Sequence, residues 1–276
     1  MHLGAVIDDR IINLAEASNG QLPDDMRRFL QLGDKGMQQA QQAIASASGG
    51  LDRASVKLLP PITDPSKIIA IGLNYMDHIR ETGMTVPTIA TMFCKYPSSL
   101  IGPDETILWN TELTNKVDYE AELALVIGKT ARHVSQDHAY DYIAGYTNCN
   151  DVSARDLQLE TGDQWLRGKC IDTFCPLGPW LVTRDEISDP QSLDIRCLVN
   201  GRVLQDSNTR EMIFNIPYLI QYLSQAFTLL PGDVIITGTP SGAGAFRQPP
   251  LFLQHGDEVS IEIEGIGRLT NRCAQG

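Results

Sequence analysis

Two glutamates that directly precede an apolar run constrain this chain most strongly. Glu120 and Glu122 open a stretch that becomes wholly apolar from Leu123 to Ile127. This pattern predicts a buried strand, and side chains two positions apart on a strand point to the same face. Two carboxylates about 7 Å apart beside an apolar run disfavour each other's charge unless a cation or basic side chains neutralise them. The alternative interpretation is a solvated strand face with Lys or Arg partners.

A third carboxylate extends the pair. Asp151 stands at the end of a second predicted strand where a helix can begin, so it is also a candidate N-cap. Together with Glu120 and Glu122 it would form an all-oxygen site, which favours Mg²⁺ or Mn²⁺, with Ca²⁺ as the less favoured ion. A zinc site at Cys170 and Cys175 is the competing hypothesis, but no second Cys/His pair stands near them in the sequence.

A histidine and a glutamate three residues apart form a candidate general base. If the stretch from Tyr75 is helical, His78 and Glu81 share a face, and the carboxylate favours the protonated imidazole. Such pairs also occur on ordinary helix surfaces. Lys169 opens a Gly/Pro-rich stretch that predicts a constrained loop, from which its amine can reach an anionic ligand. A packed turn is the alternative there.

The sequence pattern of the chain changes near residue 60. Short strand-like pieces, over residues 4–7 and 10–15, and a Gln/Ala-rich helix precede a Gly/Ser break, and we predict a small amino-terminal domain over residues 1–60. Residues 61–276 carry mostly strand patterns, including a hairpin at Asn200-Gly201 and an alternating strand over 258–264, with helices near 154–160 and 216–227. The predicted class is α+β, with a mixed, mostly antiparallel sheet.

The charge of the chain argues against polyanionic partners. Its net charge is −12 and no Lys/Arg cluster is present, so we expect no binding to nucleic acid or to membranes. The first ten residues lack the basic and apolar regions of a secretory signal, and no apolar run approaches the roughly 18 residues of a bilayer span. We therefore expect a cytoplasmic protein.

Five segments in the same order give the chain a family resemblance. It resembles the fumarylacetoacetate hydrolase family, in the branch of acylpyruvate hydrolases, oxaloacetate decarboxylases and hydroxymuconate isomerases. The likeness covers roughly residues 61–273. It rests on Gly72-Leu73-Asn74-Tyr75 with His78 and Glu81, Asp118-Tyr119-Glu120-Ala121-Glu122, Asn150-Asp151 with Arg155, Lys169 with 172–180, and Gly238-Thr239-Pro240.

The resemblance implies a β-roll fold, a homodimer and a set of site residues. It implies Mg²⁺ or Mn²⁺ at Glu120, Glu122 and Asp151. It further implies a catalytic dyad on a mobile lid, a lysine at the reaction centre, and contacts to a small 2-oxo or 2,4-dioxo acid. The dyad is His78 and Glu81, and the lysine is Lys169. The substrate contacts are Arg155, Gln158 and Thr239. Departures at 88–91 and at Ala243 affect loop shape and leave the chemistry unchanged.

The expected activity follows from these parts. A 2-oxo acid can chelate the metal, which stabilises the enolate that cleavage of a C–C bond leaves behind. Metal-dependent hydrolysis of a 2,4-dioxo acid of the acylpyruvate type is the first prediction, with His78 and Glu81 activating water. Oxaloacetate decarboxylation and hydroxymuconate-type isomerisation use the same enolate and remain alternatives. A non-catalytic metal-binding protein is the alternative from a different class.

Overall fold

Strands form the framework of the protein. The computed structural model describes all 276 residues. The strands, in chain order, are β1 (Gly4–Ile7), β2 (Arg10–Asn13), β3 (Leu51–Asp52), β4 (Ile68–Gly72), β5 (Thr91–Lys95), β6 (Leu100–Ile101), β7 (Thr106–Trp109), β8 (Val117–Asp118), β9 (Ala121–Ile127), β10 (Ile143–Asn150), β11 (Ser153–Ala154), β12 (Cys175–Thr183), β13 (Asp194–Val199), β14 (Arg202–Asn208), β15 (Val234–Ile236), β16 (Glu258–Ile263) and β17 (Gly267–Gln275). The helices are α1 (Leu14–Ala17), α2 (Met26–Gln31), α3 (Gly33–Ser46), α4 (Met76–Thr82), α5 (Arg155–Leu159), α6 (Leu166–Lys169) and α7 (Ile216–Ala226).

The larger sheet has seven strands in the order β5-β4-β15-β9-β10-β12-β6. Strand β9 lies at its centre, between β15 and β10, and every one of its residues is buried. A strand covered on both faces needs apolar side chains on both, which explains the run from Leu123 to Ile127. Most pairings in the molecule are antiparallel, whereas β4 with β15, β6 with β12 and β7 with β17 are parallel.

The second sheet has five strands in the order β14-β13-β16-β17-β7. Its hairpin turns at Asn200 and Gly201, whose φ angles of 51° and 76° suit the two-residue turn that an Asn-Gly pair favours. The hairpin and the alternating strand over 258–263 were both predicted and are confirmed. So is the class: the molecule is α+β, with mixed and mostly antiparallel sheets.

The amino-terminal segment has its own small sheet, of order β1-β2-β3, and a small apolar cluster around Leu14 and Phe29. Met26 and Leu30 pack against this cluster and also against the core of the large sheet. Arg27 pairs with Asp64 at 2.8 Å. The segment is thus attached to the remainder by apolar and polar contacts, and the domain boundary at residue 60 stays a prediction.

Two segments differ from their predicted structure. The strand-like piece predicted over residues 10–15 is a strand only as far as Asn13, and residues 14–17 form a helix, with Asn13 accepting a hydrogen bond from the backbone of Glu16 as its N-cap. The Gly/Pro-rich stretch after Lys169 contains strand β12, which pairs with β10 and β6. Pairing with neighbouring strands has outweighed the local turn signal. None of the helices combines the length and the apolar character needed to cross a membrane.

Candidate active site

Three carboxylates converge at one end of the central strand pair. Strands β9 and β10 are antiparallel, with Asn150 opposite Ala121, so the chain after β10 returns beside the start of β9. The backbone N–H of Asp151 donates to the carbonyl of Glu120 at 2.9 Å. One oxygen from each of Glu120, Glu122 and Asp151 lies within 4.8 Å of the others, and all three residues are buried. The sequence prediction that these side chains meet is confirmed.

Three cationic side chains surround this cluster. Lys169 Nζ lies 2.6 Å from Glu120 Oε2 and 2.7 Å from Asp151 Oδ2. Arg155 donates to the other oxygen of Glu120 at 2.7 Å, and Lys95 donates to the other oxygen of Asp151. Although burial opposes ionisation, Lys169 and Arg155 lower the pKa of Glu120 to about 2. The basic partners considered from sequence are present, but they are buried and not solvated.

Glu122 is the member of the cluster that lacks an ion pair. Its Oε2 accepts a hydrogen bond from the backbone N–H of Gly238 at 2.7 Å. Burial, together with the charges of Asp151 and Glu120, raises the pKa of Glu122 well above its ordinary value. With Asp118, four carboxylates thus face three cationic side chains in this network. A divalent cation at the three clustered oxygens would neutralise the uncompensated charge, so the donor set fits such an ion.

Asp151 caps no helix, because α5 begins at Arg155 with Ala154 as its N-cap. Both oxygens of Asp151 instead accept hydrogen bonds from lysines. The zinc hypothesis is not supported either: Cys175 lies beside Cys149, with their sulfur atoms 3.8 Å apart, whereas Cys170 contacts a backbone carbonyl. Among His, Cys, Asp and Glu side chains, the carboxylate cluster is the group that could hold a metal ion.

Asp118 connects the cluster to a loop. Its Oδ2 accepts from Arg155 Nε at 2.8 Å and from the backbone of Ala245 at 3.0 Å, and its Oδ1 accepts from Gly244 N at 2.7 Å. A Cβ atom on Gly244 would lie 1.9 Å from the carbonyl oxygen of Leu251. Only glycine therefore allows the loop to approach Asp118 this closely.

The predicted His–Glu pair forms on helix α4. His78 Nδ1 lies 3.3 Å from Glu81 Oε2, and Glu81 also accepts from the backbone of Gly242 at 3.0 Å. Burial alone would raise the pKa of Glu81, but the hydrogen bonds of His78 and Gly242 and the charge of Arg247 outweigh it and lower this pKa. His78 is buried, and Asp77, which binds Ser207 at 2.6 Å, fixes the start of the helix.

One aromatic ring lies between the dyad and the carboxylate cluster. Phe246 packs edge-on against His78 with ring centroids 5.1 Å apart, and the guanidinium carbon of Arg155 lies 5.4 Å from the centre of the same ring. Gln158 accepts from Arg155 Nη1 at 2.9 Å. The residues predicted for catalysis and those predicted for metal binding are thereby joined in one region of the molecule.

Thr239 is held on another side of the cluster by a buried glutamine. Gln205 Nε2 donates to the hydroxyl of Thr239 at 2.8 Å, while its Oε1 accepts from the backbone of Ala121 at 2.8 Å. Because the Thr239 oxygen accepts from Gln205, its own hydrogen is free to donate to a ligand. Thr239 is thus positioned from strand β14, which carries Gln205.

Four residues of this network were not predicted as site residues: Lys95, Asp118, Gln205 and Phe246. Lys95 had a sequence signal, since it is the one charged residue of strand β5. Asp118 belongs to a recognised segment without having been given a role. Nothing in the local sequence marks Gln205 or Phe246, because their positions depend on contacts distant in the chain.

Comparison with known proteins fits this architecture. The model of the fumarylacetoacetate (FAA) hydrolase C-terminal family matches residues 67–274. The chain belongs to the fumarylacetoacetate hydrolase family. This family consists of enzymes, and the β-roll fold predicted from the resemblance is confirmed by solved structures of its members.

Members of the fumarylacetoacetate hydrolase family match almost the whole chain. A mitochondrial oxaloacetate tautomerase of Xenopus laevis is 49% identical over 262 residues, which cover 95% of this chain and 82% of that protein. Maleylpyruvate hydrolase of Sphingobium sp. SYK-6, solved with manganese(II) and pyruvate, is 32% identical, with a TM-score of 0.82, and covers 100% of this chain and 96% of its own. A 5-carboxymethyl-2-hydroxymuconate delta-isomerase of Mycobacterium smegmatis is 43% identical, with a TM-score of 0.74 and coverages of 83% and 86%.

Proposed function

We propose that this chain interconverts the keto and enol forms of oxaloacetate or of a closely related 2-oxo dicarboxylate. The observation that carries this proposal is the 49% identity to an oxaloacetate tautomerase across 95% of the chain. The sequence alone placed hydrolysis of a 2,4-dioxo acid first, with oxaloacetate and isomerase chemistry as alternatives. The relatives support those alternatives better than the hydrolysis.

The carboxylate cluster supports a metal-dependent version of this reaction. Glu120, Glu122 and Asp151 would hold a divalent cation, and we propose Mg²⁺ or Mn²⁺ because a related hydrolase was solved with manganese. When bound, such an ion acts as a Lewis acid on a 2-oxo acid and stabilises its enolate. The side chains of Lys169 and Arg155 lie beside these carboxylates and favour an anionic substrate.

The dyad would move the proton. In the keto form, His78 takes a proton from carbon 3, and the electron pair of that C–H bond forms the C2–C3 double bond of the enolate. The imidazolium is stabilised by Glu81, whose lowered pKa keeps it charged. The proton is then delivered to the oxygen on carbon 2, so that the formula of the substrate does not change. Thr239 and Gln158 are proposed to hold the substrate's carboxylate.

Hydrolysis of a 2,4-dioxo acid is kept as a second candidate function. The maleylpyruvate hydrolase of Sphingobium covers the whole chain and supports it. The same dyad would then take its proton from water, which would attack the distal carbonyl. The two functions differ in whether a C–C bond breaks, and that difference is directly measurable.

The decisive experiment follows freshly dissolved enol-oxaloacetate by its ultraviolet absorbance, with Mg²⁺, with Mn²⁺ and with a chelator. Equilibration faster than the buffer rate, and its loss with the chelator, is the expected result. An acylpyruvate is tested in parallel for release of pyruvate. Cleavage of the acylpyruvate without acceleration of the tautomerisation would replace the proposal by the hydrolase. Binding of the ion without either activity would favour the non-catalytic metal-binding protein.

We further propose a homodimer, as the family resemblance implied. Strand β5 is an edge of the seven-stranded sheet, and Ile89 and Met92, before and on it, are exposed large apolar residues that a second chain would cover. Light scattering at micromolar concentration should give twice the chain mass, and a monomer mass would refute the dimer. Absence of nucleic-acid and membrane binding, and a cytoplasmic location, remain predictions, although the Xenopus relative is named as mitochondrial.

A further inference from the structure

A cavity of about 530 Å³ opens beside the dyad. Glu81 and Phe246 line it, and these two residues contact His78. Arg202 and Arg247 line the same cavity. A volume of this size lies in the range of small-molecule sites. The cavity therefore places Glu81 of the dyad and two arginines around one space.

The residues that line this cavity carry a charge opposite in sign to the net charge of the chain. The protein carries a net charge of −12, yet two arginines and one carboxylate line the cavity. That carboxylate, Glu81, already accepts hydrogen bonds from His78 and Gly242. Neither arginine forms an ion pair, whereas Arg196 and Arg268, on the same five-stranded sheet as Arg202, each pair with a carboxylate. The cavity thus holds positive charge that the protein leaves unpaired.

Arg247 is fixed in place by the backbone around it. Its Nη1 donates to the carbonyl of Leu204 at 2.9 Å and to that of Gly242 at 3.2 Å. Gly242 has a φ of +98°, and a Cβ atom there would lie 2.3 Å from the Leu204 oxygen, so the close approach requires glycine. A guanidinium has five N–H groups, and those on its other nitrogens remain for a ligand. A side chain held in this way loses little entropy on binding.

We infer that Arg247, together with Arg202, binds the distal carboxylate of the substrate and selects dicarboxylic over monocarboxylic 2-oxo acids. This inference rests on the proposed function and names the substrate class of the same site. The carboxylate cluster and the dyad would act on the 2-oxo end, and the planar guanidinium of Arg247 suits a carboxylate at the other end. Arg202, which is exposed, would add charge at the mouth of the cavity.

The experiment compares oxaloacetate with its 4-methyl ester, which keeps the 2-oxo acid and removes the distal charge. Arg247→Met and Arg202→Met should raise KM for oxaloacetate, by about tenfold or more for Arg247 since a charge-assisted bidentate contact is lost, and should leave KM for the ester unchanged. Arg272→Met is the matched control, because Arg272 is also exposed, has no ion pair and lies away from the cavity on β17.

Equal losses on both substrates would mean that the arginines only brace the loop, and would overturn the inference. If Arg247→Met does not fold, Arg202→Met decides, because Arg202 is exposed and its substitution is expected to leave the fold intact. If the wild type turns over neither compound, the proposed function fails separately. Calorimetric dissociation constants then test the arginines: a preference for the diacid that the variants lose supports the inference, and no preference overturns it.

Discussion

The ion pairs around Glu120 and those on the five-stranded sheet have similar lengths but opposite surroundings. Lys169 and Glu120 are 2.6 Å apart with side chains 2% and 7% exposed, whereas Arg196 and Asp206 are 2.9 Å apart with side chains 46% and 58% exposed. Buried charges lose hydration, so each depends on its partner, while exposed charges exchange a partner for water at little cost. The length of an ion pair therefore does not indicate how much the pair contributes to stability.

The same comparison shows how the unpaired carboxylate of Glu122 differs from an unpaired carboxylate on the surface. On the surface, an unpaired carboxylate is simply solvated, and nothing follows from it. Inside the cluster, Glu122 is buried and has no ion pair, and its raised pKa reflects this burial and the neighbouring charges of Asp151 and Glu120. A buried acid in this state gains from any cation that reaches it.

The largest effect is expected from Lys169→Met. Glu120 and Asp151 would both lose a buried partner, and breaking a buried ion pair costs about 3–5 kcal/mol of stability. Lys116→Met is the control: Lys116 pairs with Glu160 at 2.6 Å, but both side chains are exposed, so little or no loss of stability is expected. Urea unfolding in the presence of a chelator measures both. Equal losses of unfolding free energy in the two variants would contradict the contrast between buried and exposed ion pairs.

His78→Ala is expected to lower kcat by about 10²–10⁴-fold, the usual contribution of a positioned acid or base, without changing metal affinity. Glu81→Gln should cause a smaller loss. His138→Ala is the control, since His138 and Asp141 form the same i, i+3 pair at 3.4 Å on the surface. A His78→Ala enzyme with full kcat in the tautomerisation assay would remove the dyad from the mechanism.

Glu122→Gln is expected to weaken the binding of Mg²⁺ or Mn²⁺ by at least the roughly 10–100-fold that loss of an outer-shell partner costs. Without metal, the Glu122→Gln substitution should instead increase the stability of the folded protein. The raised pKa means that the folded state binds the proton more tightly than the unfolded state, so wild-type stability falls as pH rises above the unfolded pKa toward the folded one. The variant should lack this fall.

Unfolding free energies from pH 5 to pH 8 in chelator measure this difference. A variant that is less stable than the wild type at pH 8 would show that Glu122 is already compensated within the protein. Isothermal titration with each metal ion measures the affinity separately, so the two halves of the prediction stand or fall independently.

The smallest effect concerns Glu81, which is partly exposed. Because its folded pKa is lowered, its contribution to stability is present above the unfolded value of about 4.3 and is lost as pH falls through the folded value. The stability difference between wild type and Glu81→Gln should therefore shrink as the solution is acidified from pH 7 to pH 3. Solvent screening keeps the difference below about 1 kcal/mol. A difference that is constant with pH would contradict the prediction.

Sequence predicted those parts of the site that depend on neighbouring strands. Glu120, Glu122 and Asp151 meet because β9 and β10 pair, and both the apolar run and the strand end were visible in the chain. The His78–Glu81 pair was equally local, since it needs only one helical turn. Roles that depend on distant contacts were missed. Lys95 reaches Asp151 from the edge strand β5, across 56 residues of sequence.

Segments whose structure depends on tertiary contacts set another limit to prediction. Strand β12 was taken for a loop because Gly178 and Pro179 are turn residues, whereas pairing with β10 and β6 keeps the segment extended. Phe246 lies against His78 because Asp118 holds the loop that carries it. Such placements follow from tertiary contacts, to which a local pattern is blind.

The contact between Asp118 and Gly244 has a consequence for how this enzyme can change. The first half of the loop, at Gly244 and Ala245, is tied to the carboxylate that also holds Arg155. Its second half, from Arg247 onward, borders the cavity and has no bond to Asp118. Gly244 is therefore closed to substitution, whereas residues 248–251 line the cavity without contacting Asp118. We expect substitutions at residues 248–251 to change the substrate contacts while Asp118 keeps its hold on Arg155.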